Sequence, residues 1–297
     1  MYTVLLYYKF VEIENPEKFR ESQFELCTKL GLKGRILIAK EGLNGTVGGT
    51  REACDEYIQV VQSMPEFKDI EWKISTSQVD PFPKLRVVVR DEIVTFKTPI
   101  NIDNRAEYIN PNELLDLYEK GEDFVIIDGR NEYEGRIGKF KNAIVPDINN
   151  FREFPEWLEK NRSKLIGKTV VTYCTGGIRC EKLSAYLIEN GLEDVKQLHG
   201  GIHRYSDEVG GKYFEGEMYV FDNRIHVPVN FVNPETISEC HHCSKKVARF
   251  INCCNAECNK QFICCEDCDI KFESGCSVEC QSKSRFKIKL ENGTVNE

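Results

Sequence analysis

The sequence predicts an α/β protein in three parts, and three observations predict it. The first 98 residues read as strands and helices in the order βαββαβ. Residues 110–215 alternate apolar strands with helices, as a parallel sheet requires. Ten of the fourteen cysteines then fall in close pairs between Cys240 and Cys280. The expected architecture is an N-terminal ferredoxin-like α+β domain (1–98), a central α/β domain with a parallel sheet (110–215) and a cysteine-rich zinc-binding region over 235–285.

In the first part, residues 2–10 alternate as a strand, and Asn15-Pro16 offers an N-cap followed by proline at the first helical position. Phe19, Phe24, Leu26, Cys27 and Leu30 form a helical stripe that stops at Gly31. Strands at 35–40 and 46–48 follow, joined through 41–45, whose Asn44-Gly45 reads as a hairpin turn. Thr50 caps a helix over 51–64, and 70–75 is the next strand. A further hairpin is expected from 85–89 and 93–96. Lys33, Arg35, Lys40 and Arg51 gather near the first hairpin with one acid, Glu41. They suit either a phosphate backbone or a solvated sheet edge that blocks strand pairing.

Residues 98–110 read as a connection. Asn110-Pro111 starts a helix covered by Leu114, Leu115 and Leu117 and stopped by Gly121. The apolar run 124–127 is a buried parallel strand ending in Asp128-Gly129-Arg130. A short strand at 143–145, a helix over 151–165, a strand at 169–173, a helix over 178–189 and a strand at 195–198 complete the series. In such sheets the site lies beyond the carboxyl ends of the strands, where Asp128 and Cys174 both sit.

The stretch Thr172-Tyr173-Cys174-Thr175-Gly176-Gly177-Ile178-Arg179-Cys180 is the chemical centre of the chain. It joins a strand to a helix through two glycines, so backbone N–H groups and the positive helix end converge on Cys174. Arg179 adds a cation, and a thiolate able to act as nucleophile or sulfur carrier is expected. The alternative is a buried structural cysteine beside a helix cap. Asp128 reads as loop support, through backbone N–H groups or Arg130. Cys180 packs under the helix, or serves as a resolving thiol.

Length favours two or three domains, and no apolar run approaches a bilayer span. The N-terminus alternates as a strand, without a basic region or a small-residue cleavage site, so a cytoplasmic location and no membrane partner are expected. That context favours metal ligation over disulfides for the paired cysteines. The net charge of −8 argues against a protein that coats nucleic acid, while a local basic face still permits RNA contact. Residues 218–224 form a strand-like segment, and Pro228 and Pro234 mark a change of region. Cys240, Cys243, Cys265 and Cys268 have knuckle spacing; Cys253 or Cys254 pairs with Cys258, and Cys276 with Cys280. Eight thiolates make two tetrahedral sites. The interleaved order suggests a cross-brace, the first pair sharing a metal with the third and the second with the fourth; sequential pairing is the other arrangement. Cys254 and Cys264 are spare, and His241 and His242 are read as lying outside the ligand set. The basic residues Lys283, Arg285, Lys287 and Lys289 alternate with Ser284, Phe286, Ile288 and Leu290, as a strand, an RNA contact or a solvated tail.

The loop from Cys174 to Arg179 resembles that of the rhodanese superfamily, whose cysteine carries a persulfide. Four residues separate the two, as in the sulfur-sized loops of sulfurtransferases; related phosphatases use five. Asp128-x-Arg130 with Glu134, Ala143-Ile144 and Gly200-Gly201-Ile202 match the same pattern in order. Many relatives carry a histidine where this chain has Lys139. Across nearly the whole chain the layout is similar to the bacterial rhodanese-domain tRNA uridine hydroxylases. The resemblance is carried by Gly34-Arg35-Ile36-Leu37-Ile38-Ala39-Lys40-Glu41-Gly42-Leu43-Asn44-Gly45-Thr46, Asp128-Gly129-Arg130-Asn131-Glu132-Tyr133-Glu134, 173–182 and Cys240-His241-His242-Cys243. It implies O2-dependent 5-hydroxylation of the wobble uridine of tRNA, with Cys174 essential and Cys253, Cys258, Cys265 and Cys268 among the ligands of two structural zinc ions. It also makes Arg35, Lys40 and Asn44 candidate contacts to the anticodon region. The residues themselves stop at cysteine-based sulfur transfer from a sulfur donor, and nothing resembles a flavin or nucleotide site. A zinc-containing RNA- or protein-binding scaffold is the reading of a different class.

Overall fold

Alternation along the first strand decides how the N-terminal domain is built. In β1 (Tyr2–Phe10) Leu5 and Tyr7 are fully buried in the core, while Leu6 and Tyr8 point to the opposite face. This computed structural model describes residues 1–282; the basic tail predicted from Lys283 onward lies outside them. The elements that follow are α1 (Pro16–Lys29), β2 (Lys33–Ala39), β3 (Gly42–Gly49), α2 (Arg51–Gln62), β4 (Glu71–Ser77) and β5 (Leu85–Val89). The sheet order is β4-β1-β3-β2-β5, antiparallel except for β5, which runs parallel to β2. The core joins Leu5, Tyr7, Ile36, Ile38 and Val47 of the sheet to Cys27, Tyr57 and Val61 of the helices.

Two local expectations fail here for tertiary reasons. The β2–β3 turn is made by Lys40 and Glu41, since Ala39 already pairs with Gly42; Asn44 and Gly45 lie inside β3. Gly45 is glycine because a Cβ there would come within 2.3 Å of the Tyr7 ring. Residues 93–96 form no strand, so there is no hairpin with β5; Glu92 instead accepts the N–H groups of Phe96 and Lys97 and folds them into a turn.

The second sheet has the order β6-β10-β9-β7 and is parallel throughout. Its elements are β6 (Glu107–Ile109), α3 (Pro111–Lys120), β7 (Val125–Asp128), α4 (Glu132–Ile137), β8 (Gly138–Phe140), α5 (Phe154–Asn161), β9 (Val170–Tyr173), α6 (Ile178–Glu189), β10 (Val195–Leu198) and α7 (Gly201–Val209). β6 thus arises within the predicted connection. α3 begins with a reciprocal Asn110–Glu113 capping box and ends on left-handed Gly121. All four residues of β9 are buried, with hydrophobic clusters against both faces of the sheet. The strand expected at 143–145 is reduced to a single bridge between Ile144 and Ile127.

β8 leaves this sheet to pair with β11 (Phe214–Tyr219), which also pairs with β12 (His226–Pro228). The cysteine-rich end holds β13 (Phe250–Asn252), β14 (Gln261–Ile263), α8 (Glu266–Lys271) and α9 (Val278–Gln281). Among the described residues, no helix is long and apolar enough to cross a membrane.

Candidate active site and metal centres

β9 delivers Cys174 to the sheet's carboxyl edge, and α6 begins four residues later. The Gly177 N–H donates to Cys174 Sγ at 3.1 Å, from a backbone φ of +106° that favours glycine. The Arg179 N–H and the Cys180 thiol also reach this sulfur. Burial by itself pushes a thiol up. The Cys180 donor, the Arg179 charge and the two amides outweigh it and bring Cys174 down to about 5. Cys180, fully buried, is driven the other way by burial and by its charged neighbour, so it remains the proton donor. The loop is held from below by α7: Ile202 and His203 donate to the Cys174 and Thr175 carbonyls at 3.0 and 3.1 Å. Gly201 permits this approach, since a Cβ there would sit 2.4 Å from the Cys174 oxygen.

Two buried ion pairs brace the loop. Arg179 spans Glu134 in bidentate fashion at 2.6 and 2.9 Å and reaches Thr175 Oγ1 at 3.2 Å. Asp128 accepts from Arg130 N, Nε and Nη2 at 3.0, 2.9 and 2.7 Å and from the Tyr173 hydroxyl at 2.7 Å. Asp128 therefore faces Arg130 and Tyr173, and Arg130 Nη2 continues to the Gly138 carbonyl at 2.6 Å.

The polar-side face of the N-terminal sheet closes over this loop. A Cβ on Gly176 would meet Leu6 at 2.9 Å, and one on Gly177 would meet the Tyr8 hydroxyl at 2.7 Å. Tyr8 donates to Glu181 at 2.9 Å, as does Tyr108 at 2.7 Å, and Lys73 lies over the Tyr8 ring at 4.8 Å. Burial holds the Lys73 ammonium below its ordinary value. Lys182, the next residue of α6, donates to Glu41 at 2.9 Å and Glu92 at 2.7 Å. Between the domains opens a cleft of about 850 Å³. Cys174, Thr175, Gly176, Ile178 and Arg179 line it from one side, Arg35 and Asn44 from another, and Phe221 and Gln261 from the C-terminal segments.

The cysteines of the C-terminal region gather as two sets, Cys240, Cys243, Cys265 and Cys268, and Cys253, Cys258, Cys276 and Cys280. Within each set all sulfurs lie within 4.8 Å of one another. Neighbouring sulfurs stand 3.7 Å apart in the first (Cys243–Cys265) and 3.6 Å in the second (Cys258–Cys276, Cys276–Cys280). That is close to the edge of ~3.8 Å that a tetrahedron with Zn–S of about 2.3 Å requires. The sets can each hold a metal ion and are consistent with zinc. The pairing is the cross-brace that the interleaved spacing suggested. Cys254 and Cys264 belong to neither set. His241 and His242 donate instead to the Cys276 and Gly275 carbonyls, both at 3.0 Å, and so tie one knuckle to the other.

Comparison with known proteins adds an independent line. Three family models match in succession: UPF0176 acylphosphatase like domain over residues 2–93, Rhodanese-like domain over 110–208 and Rhodanase C-terminal over 215–281. A curated relative from Bacillus licheniformis, named tRNA uridine(34) hydroxylase, is 46% identical over all of this chain and 93% of its own length. The chain belongs to the tRNA uridine(34) hydroxylase family. A second member, from Bacillus mycoides, is 44% identical over all of this chain and 94% of its own. Among solved structures, a rhodanese-like domain protein from Staphylococcus aureus is 27% identical over 35% of this chain and 94% of that one, with a TM-score of 0.29.

Against this family background, the site is only partly the one its local motifs suggest. Arg35 and Asn44 face the cleft, but Lys40 sits exposed at the β2–β3 turn, Lys33 pairs with Asp80, and Arg51 pairs with Asp55. Glu134 was legible only as part of the Asp128-x-Arg130 motif, not as the partner of Arg179, and Tyr8, Lys73, Glu181 and Lys182 as interdomain contacts had no local signature. The signal for Tyr8 was its place on the outward side of an alternating strand.

Proposed function

We propose that this chain hydroxylates the wobble uridine of tRNA at C5, with Cys174 as the reacting thiolate. The observation that carries the reading is a sulfur held near pKa 5 at the floor of a cleft shared by all three parts of a member of the tRNA uridine(34) hydroxylase family. A buried thiolate stabilised by two amides, a thiol donor and a guanidinium is a nucleophile at neutral pH. Gly176, Gly177 and Ile178 shape its pocket, and Arg179 with Thr175 holds the positive side of the loop. Asp128, Arg130 and Glu134 are positioning residues acting through backbone and through Arg179. The tRNA anticodon region is the partner, O2 the co-substrate and the cytoplasm the location of this reaction. Two structural zinc ions would be held by the eight clustered thiols, fixing the C-terminal wall of the cleft.

The test is mass spectrometry of tRNA nucleosides from cells lacking this protein, complemented with the intact chain or with Cys174→Ala. Loss of 5-hydroxyuridine derivatives, restored only by the intact chain, is the expected result. Unchanged 5-hydroxyuridine with a fall in thiolated nucleosides identifies a sulfurtransferase fed by a sulfur donor. Full restoration by Cys174→Ala identifies a scaffold.

A further inference from the structure

Phe221 is 60% exposed although it belongs to the lining of the cleft. Its ring rests edge-on against Tyr219 at 5.2 Å, and Tyr219 is itself fixed by Tyr133 at 5.2 Å and Phe250 at 5.5 Å. Gln261 accepts from the Tyr219 hydroxyl at 3.0 Å. The following residues are pinned to the N-terminal domain: Asn223 N donates to the Pro81 carbonyl at 2.9 Å, and Arg224 reaches Ser75 Oγ at 3.0 Å. Phe221 is therefore a rigid aromatic plate with one side supported and much of its surface open to solvent.

The charge around it is equally one-sided. Arg35 and Arg152 line the same cleft, both exposed; neither forms an ion pair among the described residues, and Arg152 feels only the charge of its chain neighbour Glu153. The cleft's single carboxylate, Asp222, is neutralised by Arg224 at 2.8 Å through Nε. A chain of net charge −8 thus keeps two exposed guanidiniums, neither in an ion pair among the described residues, at this mouth. An aromatic plate sharing a cleft with exposed cations is how proteins seat single-stranded nucleic acid, by stacking and by phosphate contact. Cys174 is fully buried, so a target base must leave its stack to reach it, which strips its neighbour of a stacking partner.

We propose that Phe221 stacks a base flanking the target uridine while Arg35 and Arg152 each take a backbone phosphate of the same single-stranded loop. This rests on the reading of the chain as a tRNA-modifying enzyme. It assigns to the C-terminal segment and to the short 3-10 turn before α5 a share in substrate binding.

The test is fluorescence anisotropy of the full chain with a labelled anticodon stem-loop RNA over a series of KCl concentrations. Arg35→Gln and Arg152→Gln are each expected to lower the slope of log affinity against log salt by about 0.7. Phe221→Ala is expected to weaken binding about fivefold or more at every salt concentration with the slope unchanged, and Phe221→Trp to restore it. Unchanged thermal unfolding of Phe221→Ala excludes misfolding as the cause. If the unsubstituted chain binds and all three variants bind with the same affinity and slope, the proposal falls alone. If the unsubstituted chain does not bind this RNA, the proposal and the tRNA reading fall together.

Discussion

Arg179 spends its guanidinium on Glu134, through two bonds of 2.6 and 2.9 Å, and offers Cys174 its charge and its backbone N–H. Glu134 is fully buried, so it has no water to fall back on, and Arg179 is nearly buried. Removing one partner of such a pair leaves an uncompensated charge. Glu134→Ala is expected to cost about 3–5 kcal/mol of stability, read from urea denaturation. A midpoint equal to that of the unsubstituted chain would contradict the bracing role.

The depressed Cys174 value has a definite pH consequence. The folded value of about 5 lies below that of an ordinary thiol, about 8.5. Ionisation of Cys174 thus favours the folded state above the ordinary thiol range, and the contribution is lost as pH falls through about 5. Alkylation of Cys174 by iodoacetamide, followed by peptide mass spectrometry, is expected to plateau at neutral pH and to fall away near pH 5. Cys180→Ala removes a donor from the sulfur and should move that midpoint upward by about one unit. Cys180→Ser, which keeps a donor, should move it less. A midpoint in the ordinary thiol range for the unsubstituted chain would overturn the assignment.

What the structure gathers around the cysteine loop and the thiol clusters is set by neighbours in sequence. Cys174, its glycines and Arg179 lie within one turn of chain, and the thiol pairs announce themselves by spacing. Asn44-Gly45 misled because turn chemistry is local, whereas the glycine there answers to the Tyr7 ring across the sheet. Nothing local could link Tyr8 to Glu181, which bond across 173 positions. The run 143–145 has strand composition but too short a stretch beside β7, and a single bridge is what survives. Sequence periodicity reports which face of an element is buried, and leaves open which domain buries it.

Metal content discriminates the clustered thiols from the spare ones. The purified, reduced chain is expected to carry two zinc ions by elemental mass spectrometry, and Cys243→Ser or Cys276→Ser to lose at least one of them. Cys254→Ser and His241→Ala should keep both, because neither group belongs to the four-sulfur sets. Zinc-free reduced protein with native folding would remove the metal reading.

Lys182 joins the domains from a buried position on α6. Its side chain is 5% exposed and bridges Glu41 of the β2–β3 turn and Glu92 beyond β5. Burial pushes the Glu92 carboxyl up, but Lys182 and the Phe96 N–H hold it below its ordinary value. Lys182→Met would leave two carboxylates facing each other without the cation. Because both acids are partly exposed, the expected loss is about 1–3 kcal/mol, smaller than for a fully buried pair. Since a lowered carboxyl contributes stability above its unfolded value and loses it as pH falls, the variant's deficit should shrink as the buffer is taken from pH 8 toward pH 4. Denaturation midpoints at both pH values measure this. A deficit that stays constant with pH would assign Lys182 a packing role in place of an electrostatic one. If the bridge does hold the N-terminal sheet over the cysteine loop, the same variant should also expose Cys174 to faster alkylation at neutral pH.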